Sequence, residues 1–278
     1  MKWNIITDSS CDLIKNDDQE GHIQISIVPF IISVGEYDYI DDEKLNTLSL
    51  LNAIEEYPTA SHTSCPSPQK WLKEFERAEQ SIAITISSAL SGSMNSAMIA
   101  REIALEQDPQ KKIAVIDSCS AGPELIMCIE KIRELIDANY SFDDVVLGAD
   151  KYLRKTHTMF ALSSFDNLVK NGRLSKLKGF IAKRLGFWGV GIGSDEGTIH
   201  IRSITRGERK TIECLLENMK ERNFQGDRVF ISHCHNLSFV EKLRDRISEI
   251  WHDTEVRIYQ TRGLCSYYAE RGGLIVAY

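Results

Sequence analysis

Hydroxyl-bearing side chains gather in two short segments, each followed by a helix-like pattern. The first is 62–68 (HTSCPSP) and the second is 87–93 (SSALSGS), which follows the apolar run 82–86. Hydroxyls and free backbone N–H groups ahead of a helix can hold an anion. The candidate ligand groups are Thr63, Ser64, Ser91, Gly92 and Ser93. Plain helix capping and a strand-to-helix connector are the commoner uses of such segments, so either segment taken alone is a weak signal.

The first half of the chain alternates short apolar runs with amphipathic stretches, which predicts a parallel, doubly wound α/β sheet. The predicted strands are 3–7, 23–28, 81–86 and 113–117, and the predicted helices are 48–57, 71–78, 95–107 and 125–138. Ligands of such sheets gather at the carboxyl ends of the strands. The loops 8–12, 87–93 and 118–122 are therefore expected to meet at one edge.

The second half predicts a further α/β layer. A hairpin is expected over 190–194 and 198–202, helices over 208–221 and 237–250, and strands over 229–233, 256–260 and 274–277. The pattern changes near residues 155–160. We therefore predict a two-lobed protein with an N-terminal α/β domain at 1–155 and a C-terminal α/β domain at 156–278.

Composition excludes some classes of function. A chain of 278 residues with 42% hydrophobic residues supports a substantial core, and a formal charge of −7 disfavours a nucleic-acid partner. The seven cysteines are scattered and contain no CxxC pair, and the first residues lack the pattern of a signal peptide. No apolar run is long enough to span a bilayer. A reduced, cytoplasmic protein is expected.

Five motifs in order resemble the DegV family of bacterial fatty-acid-binding proteins, also called FakB proteins. They are TDSSCDL at 7–13, TSCPS at 63–67, the segment 86–96, VIDS at 115–118 and NGRLS at 171–175. The resemblance covers nearly the whole chain. The ordered set is far more specific than any one motif.

The resemblance implies two lobes with one long-chain fatty acid, such as palmitate, between them. It implies that Thr63 and Ser91 hold the carboxylate beside the Gly92 backbone, and that Arg173 lies near the head group or at a kinase contact. It further implies a carrier that is not an enzyme and needs no cofactor. Such a carrier presents the acid to a separate fatty acid kinase for phospholipid synthesis.

The sequence departs from the family pattern near its end. Tyr268 stands where the family has a histidine associated with handing over the acid, and Glu270-Arg271 replaces a Gly-Pro pair. The segment 185–191 replaces a lysine-proline segment, and Cys65 stands where glutamine is frequent. Tyrosine can donate a hydrogen bond but is not a cation near neutral pH. The resemblance therefore supports the fold and the class of ligand more strongly than it supports the kinase partnership.

Other functions stay open on the sequence alone. A nucleophile at Thr63, Ser91 or Cys65 with His62 as base would make an acyl hydrolase, although no G-x-S-x-G elbow is present. The same hydroxyl groups could instead hold a phosphate, which would make the protein a phosphate or sugar-phosphate binding module. The segment His233-Cys234-His235 is the densest metal-like cluster, but no second pair of ligands follows at a zinc-like spacing, so no metal is expected.

Overall fold

The computed structural model describes residues 2–13, 21–57, 61–174 and 186–278. The strands are β1 (Trp3–Asp8), β2 (Ile23–Val28), β3 (Ile31–Val34), β4 (Tyr37–Ile40), β5 (Ser61–Ser64), β6 (Gln80–Thr85), β7 (Lys112–Asp117), β8 (Thr158–Leu162), β9 (Phe187–Gly193), β10 (Ile199–Arg206), β11 (Arg228–His233), β12 (Glu255–Gln260) and β13 (Leu274–Ala277). The α-helices are α1 (Thr47–Glu56), α2 (Pro68–Phe75), α3 (Ser93–Gln107), α4 (Pro123–Asp137), α5 (Phe142–Leu153), α6 (Asp166–Lys170), α7 (Glu208–Glu221), α8 (Leu237–Ile250) and α9 (Gly263–Ala269). Residues Ser9–Cys11 form a 3-10 turn.

The first sheet is parallel, in the order β2-β1-β6-β7. Every residue of β1 and β6 is buried because helices cover both faces. Ile5 and Ile82 face α4 and α5, whereas Ile6 and Ala83 face α2 and α3. The predicted doubly wound sheet is confirmed, with boundaries that shift by at most three residues.

The second sheet is mixed and has the order β10-β9-β8-β13-β11-β12. Alternation along β8 divides its side chains between two faces. Met159 and Ala161 join the core beneath α7 and α8, whereas Phe160 and Leu162 point to the opposite face. The predicted second α/β layer is confirmed, and the two-lobed architecture with it.

Helix α4 lies between the two sheets. Leu125 and Cys128 pack into the core of the first sheet, while Ile126 and Met127 pack against Phe230 of β11. The first half of α4, residues 123–129, is buried on every side, whereas Arg133, Glu134 and Asp137 in its second half are exposed. No helix in the described ranges is long and apolar enough to cross a membrane.

A third sheet, antiparallel in the order β4-β3-β5, includes part of the segment 62–68, for which no strand was predicted. Thr63 and Ser64 lie in β5, paired with Ile32 and Ile31 of β3, so they do not lie directly ahead of α2, which begins at Pro68. Strand β5 reads SHTS, which has no apolar alternation, so its strand state depends on backbone pairing with β3. Ser67 alone takes the predicted place at the start of α2.

The predicted domain division at 155/156 stays a prediction. It falls between the end of α5 at Leu153 and the start of β8 at Thr158. All strands of the parallel sheet precede it, and all strands of the mixed sheet follow it.

Candidate functional site

A cavity lies between the inner face of β8, helix α9 and the loops that follow β6 and β7. It offers about 110 Å³ to the centre of a water-sized molecule. Its apolar lining is Phe30, Ile86, Leu90, Ala121, Phe160, Leu162, Leu168, Ile199, Leu264, Ala269 and Ile275. Its polar lining is Thr63, Ser91, Cys119, Ser120, Thr158, Arg173, Thr198, Cys265 and Tyr268, together with Gly193 and Gly197.

Strand β8 gives the cavity its long direction. Thr158, Phe160 and Leu162 line it from one face of the strand, over about 13 Å from first to last. Beyond Leu162, Leu168 continues the lining, and its backbone carbonyl accepts a hydrogen bond from the Arg173 backbone at 2.9 Å. The cavity therefore has an Arg173 end and a Thr158 end.

Four of the predicted site residues line the cavity: Thr63, Ser91, Arg173 and Tyr268. The Thr63 and Tyr268 hydroxyls share a hydrogen bond of 2.8 Å. Burial raises the pKa of Tyr268, so the phenol is neutral and can donate a proton. The Arg173 Nε donates to the Leu90 carbonyl at 3.2 Å, and its Nη1 donates to the Asn171 carbonyl at 2.5 Å.

The three other predicted ligand residues do not line the cavity. Ser64 is exposed because alternation along β5 turns it away from Thr63. Gly92 is exposed, and a Cβ there would stand 3.5 Å from the Cys65 Sγ, which shows that the two hydroxyl segments touch. Ser93 is fully buried and points into the protein. In the NGRLS motif, Ser175 lies outside the described residues, as does Leu185 of the divergent segment.

Asp8, at the carboxyl end of β1, holds the loop that carries Ser91. Its Oδ2 accepts from the Ile86 N–H at 3.0 Å and the Ser93 hydroxyl at 2.6 Å. Its Oδ1 accepts from the Ser10 N–H at 3.2 Å and the Ser10 hydroxyl at 2.6 Å. Desolvation in this buried place raises the pKa of Asp8, and the four hydrogen bonds oppose that effect. Ser93 therefore positions the loop through Asp8.

Helix α9 brings Tyr268 to the cavity, and the sequence did not predict this helix. The buried Asp41 carboxylate accepts from the Gly263 N–H at 2.7 Å and the Leu264 N–H at 2.8 Å, at the helix N-terminus. A Cβ on Gly263 would come within 2.6 Å of the Asp41 Oδ1, so only glycine fits there. The role of Asp41 had no local signal, because its partners are more than 200 residues away in the chain.

A buried carboxylate, also not predicted, lies behind the Thr158 end. Glu124 accepts from the Thr156 hydroxyl at 2.6 Å and the Thr158 hydroxyl at 2.5 Å. The Ser120 hydroxyl lies 2.8 Å from the Thr158 hydroxyl. Burial raises the pKa of Glu124, and the surrounding hydroxyls lower it. The two ends of the cavity are therefore polar in different ways.

The segment His233-Cys234-His235 does not gather as one cluster. His233 accepts a hydrogen bond from the Asn236 N–H through its Nδ1 at 3.1 Å, and Cys234 is buried among apolar residues. His235 contacts the Thr47 hydroxyl and the Gln260 amide, both at 3.3 Å. The described ranges contain no group of three His, Cys, Asp or Glu side chains that could hold a metal ion.

Comparison with protein families and curated proteins gives one consistent result. The model of the DegV family, described as uncharacterised, matches residues 2–278. A DegV domain-containing protein of Streptococcus pneumoniae is 38% identical over 278 residues, which cover 100% of this chain and 99% of that protein. A DegV domain-containing protein of Streptococcus gordonii is 37% identical over the same length and coverage.

Solved structures of similar proteins contain fatty acids. The Streptococcus pneumoniae fatty acid kinase B3 protein loaded with linoleic acid has a TM-score of 0.96 and 38% identity, over 100% of this chain and 99% of that one. A DegV family protein of Eubacterium eligens loaded with heptadecanoic acid has a TM-score of 0.94 and 33% identity, over 99% and 98% of the two chains.

The Ser93–Asp8 contact predicts a pH-dependent loss of stability in Ser93→Ala. Burial raises the pKa of Asp8 above its ordinary value of 3.8, so the folded protein binds the Asp8 proton more tightly than the unfolded chain does. The free energy of unfolding therefore falls as the pH rises from 3.8 through the pKa of Asp8 in the folded protein. Loss of the Ser93 hydroxyl raises the pKa of Asp8 further, since that hydroxyl stabilises the charged form. Urea unfolding should show a deficit of about 2 kcal/mol at pH 8 that shrinks toward pH 4.

Ser96→Ala is the matched control, since Ser96 is in the same helix and makes no side-chain hydrogen bond to a described residue. It should change stability little at either pH. A Ser93→Ala deficit that is equal at both pH values would contradict the role of the charged Asp8.

Proposed function

Because the chain belongs to the DegV family, we propose that it binds one long-chain fatty acid in the cavity between its two main sheets. The carboxylate lies at the Arg173 end, beside Thr63 and Ser91, and the acyl chain follows β8 toward Thr158. The observation that carries this proposal is one apolar cavity with hydroxyls and a guanidinium at one end. Solved relatives with 33% and 38% identity contain linoleic and heptadecanoic acid.

Apolar burial supplies most of the binding free energy. At roughly 0.8 kcal/mol per buried CH2, a chain of about sixteen carbons contributes on the order of ten kcal/mol, which offsets the costs of ordering and association. The middle of the cavity suits this chain, because Phe160, Leu264 and Ile275 line it and present no hydrogen-bonding side-chain atoms.

The polar end sets the direction of the ligand. A carboxylate that leaves bulk water needs several donors, and hydrogen bonds to a charged group are the strong kind. When the Tyr268 hydroxyl donates to the Thr63 oxygen, the Thr63 proton is left for the carboxylate. Among the described residues, Nη2 of Arg173 has no hydrogen-bond partner, so it can meet a ligand oxygen or a partner protein.

The two alternative functions have less support. A hydrolase would need a base near Thr63, but His62 is exposed and lies on the opposite face of β5. A phosphate-binding module would not need the long apolar cavity behind the hydroxyls. The arrangement therefore favours a carrier over an enzyme, with no cofactor.

The partner in this proposal is a fatty acid kinase that phosphorylates the carboxylate presented at the Arg173 end. The similar Streptococcus pneumoniae protein is named as a component of fatty acid kinase. Arg173 and Ser91 are each partly exposed, so a partner can reach the groups around the carboxylate.

Thr63→Val tests the carboxylate site. Valine keeps the shape and the β propensity of threonine but removes the hydroxyl. Palmitate affinity should therefore fall at least about tenfold, which is the affinity that one hydrogen bond to a charged group contributes. Titration of delipidated protein with palmitate measures the change. His62→Ala, on the outer face of β5, should bind as the unaltered protein does. Equal affinity of Thr63→Val and His62→Ala would reject this site.

Arg173→Ala should weaken the binding of palmitate but should change little the binding of hexadecanol, its uncharged analogue. Removing the guanidinium lowers palmitate affinity by about tenfold or more, because its attraction acts on the carboxylate alone. The affinity for hexadecanol should change less than about threefold in the same titration. An equal loss for both ligands would point to a packing role for Arg173.

Tyr268→His tests the handover to the kinase. Near neutral pH histidine carries partial positive charge, which neutral Tyr268 lacks. If that charge stabilises the transition state of phosphoryl transfer by ~1.4 kcal/mol, acyl phosphate formation by a streptococcal fatty acid kinase should rise about tenfold. Palmitate affinity, measured in parallel, separates binding from turnover. Tyr268→Phe is the control and should not raise turnover. No acyl phosphate with any variant would reject the kinase partnership and leave the binding proposal standing.

A further inference from the structure

The Thr158 end of the cavity adjoins an outer cleft, and the residues that line both form the wall between them. Cys119, Thr158 and Gly193 line both the cavity and the cleft, which runs between α5, the loop after β7 and the turn between β9 and β10. The cleft is wide, at about 1020 Å³ for the centres of water-sized molecules. One wall residue, Gly193, has no side chain at all. Thr198, which also lines the cavity, is exposed to solvent.

The lining of the cavity toward this wall includes polar side chains. Phe160 and Ile275 line the middle, but the last stretch presents the hydroxyls of Ser120 and Thr158 and the Cys119 thiol. Beyond the wall the cleft is lined by charged side chains, among them Asp117, Asp150, Arg154 and Asp195. A plain hydrocarbon tail gains nothing from these groups. A polar group at the end of a chain would find partners and water there.

Hydrogen bonds hold the wall in place. The Thr158 hydroxyl donates to the Glu124 carboxylate at 2.5 Å, so it accepts the bond of 2.8 Å that it shares with Ser120. The Ser120 oxygen then keeps acceptor capacity for a further donor. Cys119 has φ of 51°, a backbone conformation that glycine adopts more readily.

We propose that this end of the cavity is a second opening, which accepts a polar group on the distal end of the acyl chain and lets it reach the cleft between Cys119, Thr158 and Gly193. The ligand class is a long-chain acid with a terminal hydroxyl or similar hydrophilic group. This inference rests on the proposed fatty-acid function, because it assigns the far end of the same ligand.

A ligand series on the unaltered protein tests the second opening. Saturated acids of 12 to 20 carbons are titrated beside their ω-hydroxy analogues, and 8-hydroxyhexadecanoic acid is the mid-chain control. In an apolar enclosure an unpaired hydroxyl costs about tenfold or more in affinity. The mid-chain hydroxyl should show this loss. Once the chain is long enough to reach the wall, each ω-hydroxy acid should bind with an affinity within about threefold of that of its parent acid.

Two variants of the wall residues test whether the passage to the cleft controls the binding of ω-hydroxy acids. Gly193→Val places a Cβ 3.7 Å from the Thr158 carbonyl oxygen, in ordinary contact, and adds bulk to the wall. For chains that reach the wall, it should lower the affinity for an ω-hydroxy acid about tenfold relative to the affinity for its parent acid. Cys119→Gly widens the passage and should preserve or improve ω-hydroxy binding. Leu147→Ala, an exposed cleft position away from the wall, is the matched control and should change neither.

The outcomes separate this proposal from the one it rests on. If the parent acids bind but ω-hydroxy acids of every length lose as much affinity as the mid-chain analogue, the second opening is rejected and fatty-acid binding stands. If no parent acid binds, both are rejected. The second opening is supported if long ω-hydroxy acids bind about as tightly as their parent acids and Gly193→Val removes that equality.

Discussion

The buried carboxylate of Asp8 is the interaction on which the site depends. A charge removed from water is costly unless donors surround it, and here four donors from two segments converge on its oxygens. Those bonds hold the 3-10 turn after β1 and the loop after β6 against each other. Ser91 belongs to that loop, so one acid at the end of a strand helps to fix the position of a hydroxyl that lines the cavity.

Two further buried acids, Asp41 and Glu124, place the other walls of the cavity. Asp41 satisfies the first N–H groups of α9 and so orients Tyr268, while Glu124 ties α4 to the start of β8 through two threonines. Neither acid lines the cavity. Their charges lie behind the walls, and the lining of the cavity stays mostly apolar.

The two ends of the cavity differ in the chemistry they present. At one end Arg173 offers a cation, and the Tyr268–Thr63 pair offers donors whose protons can be shared with a carboxylate. At the other end Cys119 and Thr158 line both the cavity and a wide, charged cleft. Among the described residues that line the cavity, only Arg173 carries a positive charge, and this asymmetry is the basis of the proposed direction of binding.

Much of the fold could be predicted from the sequence, because hydrophobic periodicity is a local property. The parallel strands, the hairpin and helix 237–250 follow from that signal. The ordered motifs indicated the family and the candidates Thr63, Ser91 and Arg173, and the departure from the family pattern near the end of the sequence singled out Tyr268. Strand β5 and helix α9 could not be predicted this way, because backbone pairing with β3 and the Asp41 carboxylate stabilise them from far along the chain. The sequence alone thus determined which residue types are available. Only the tertiary structure decided that Ser93 turns inward to Asp8 while Thr63 and Tyr268 meet, because burial and distant hydrogen bonds set side-chain direction.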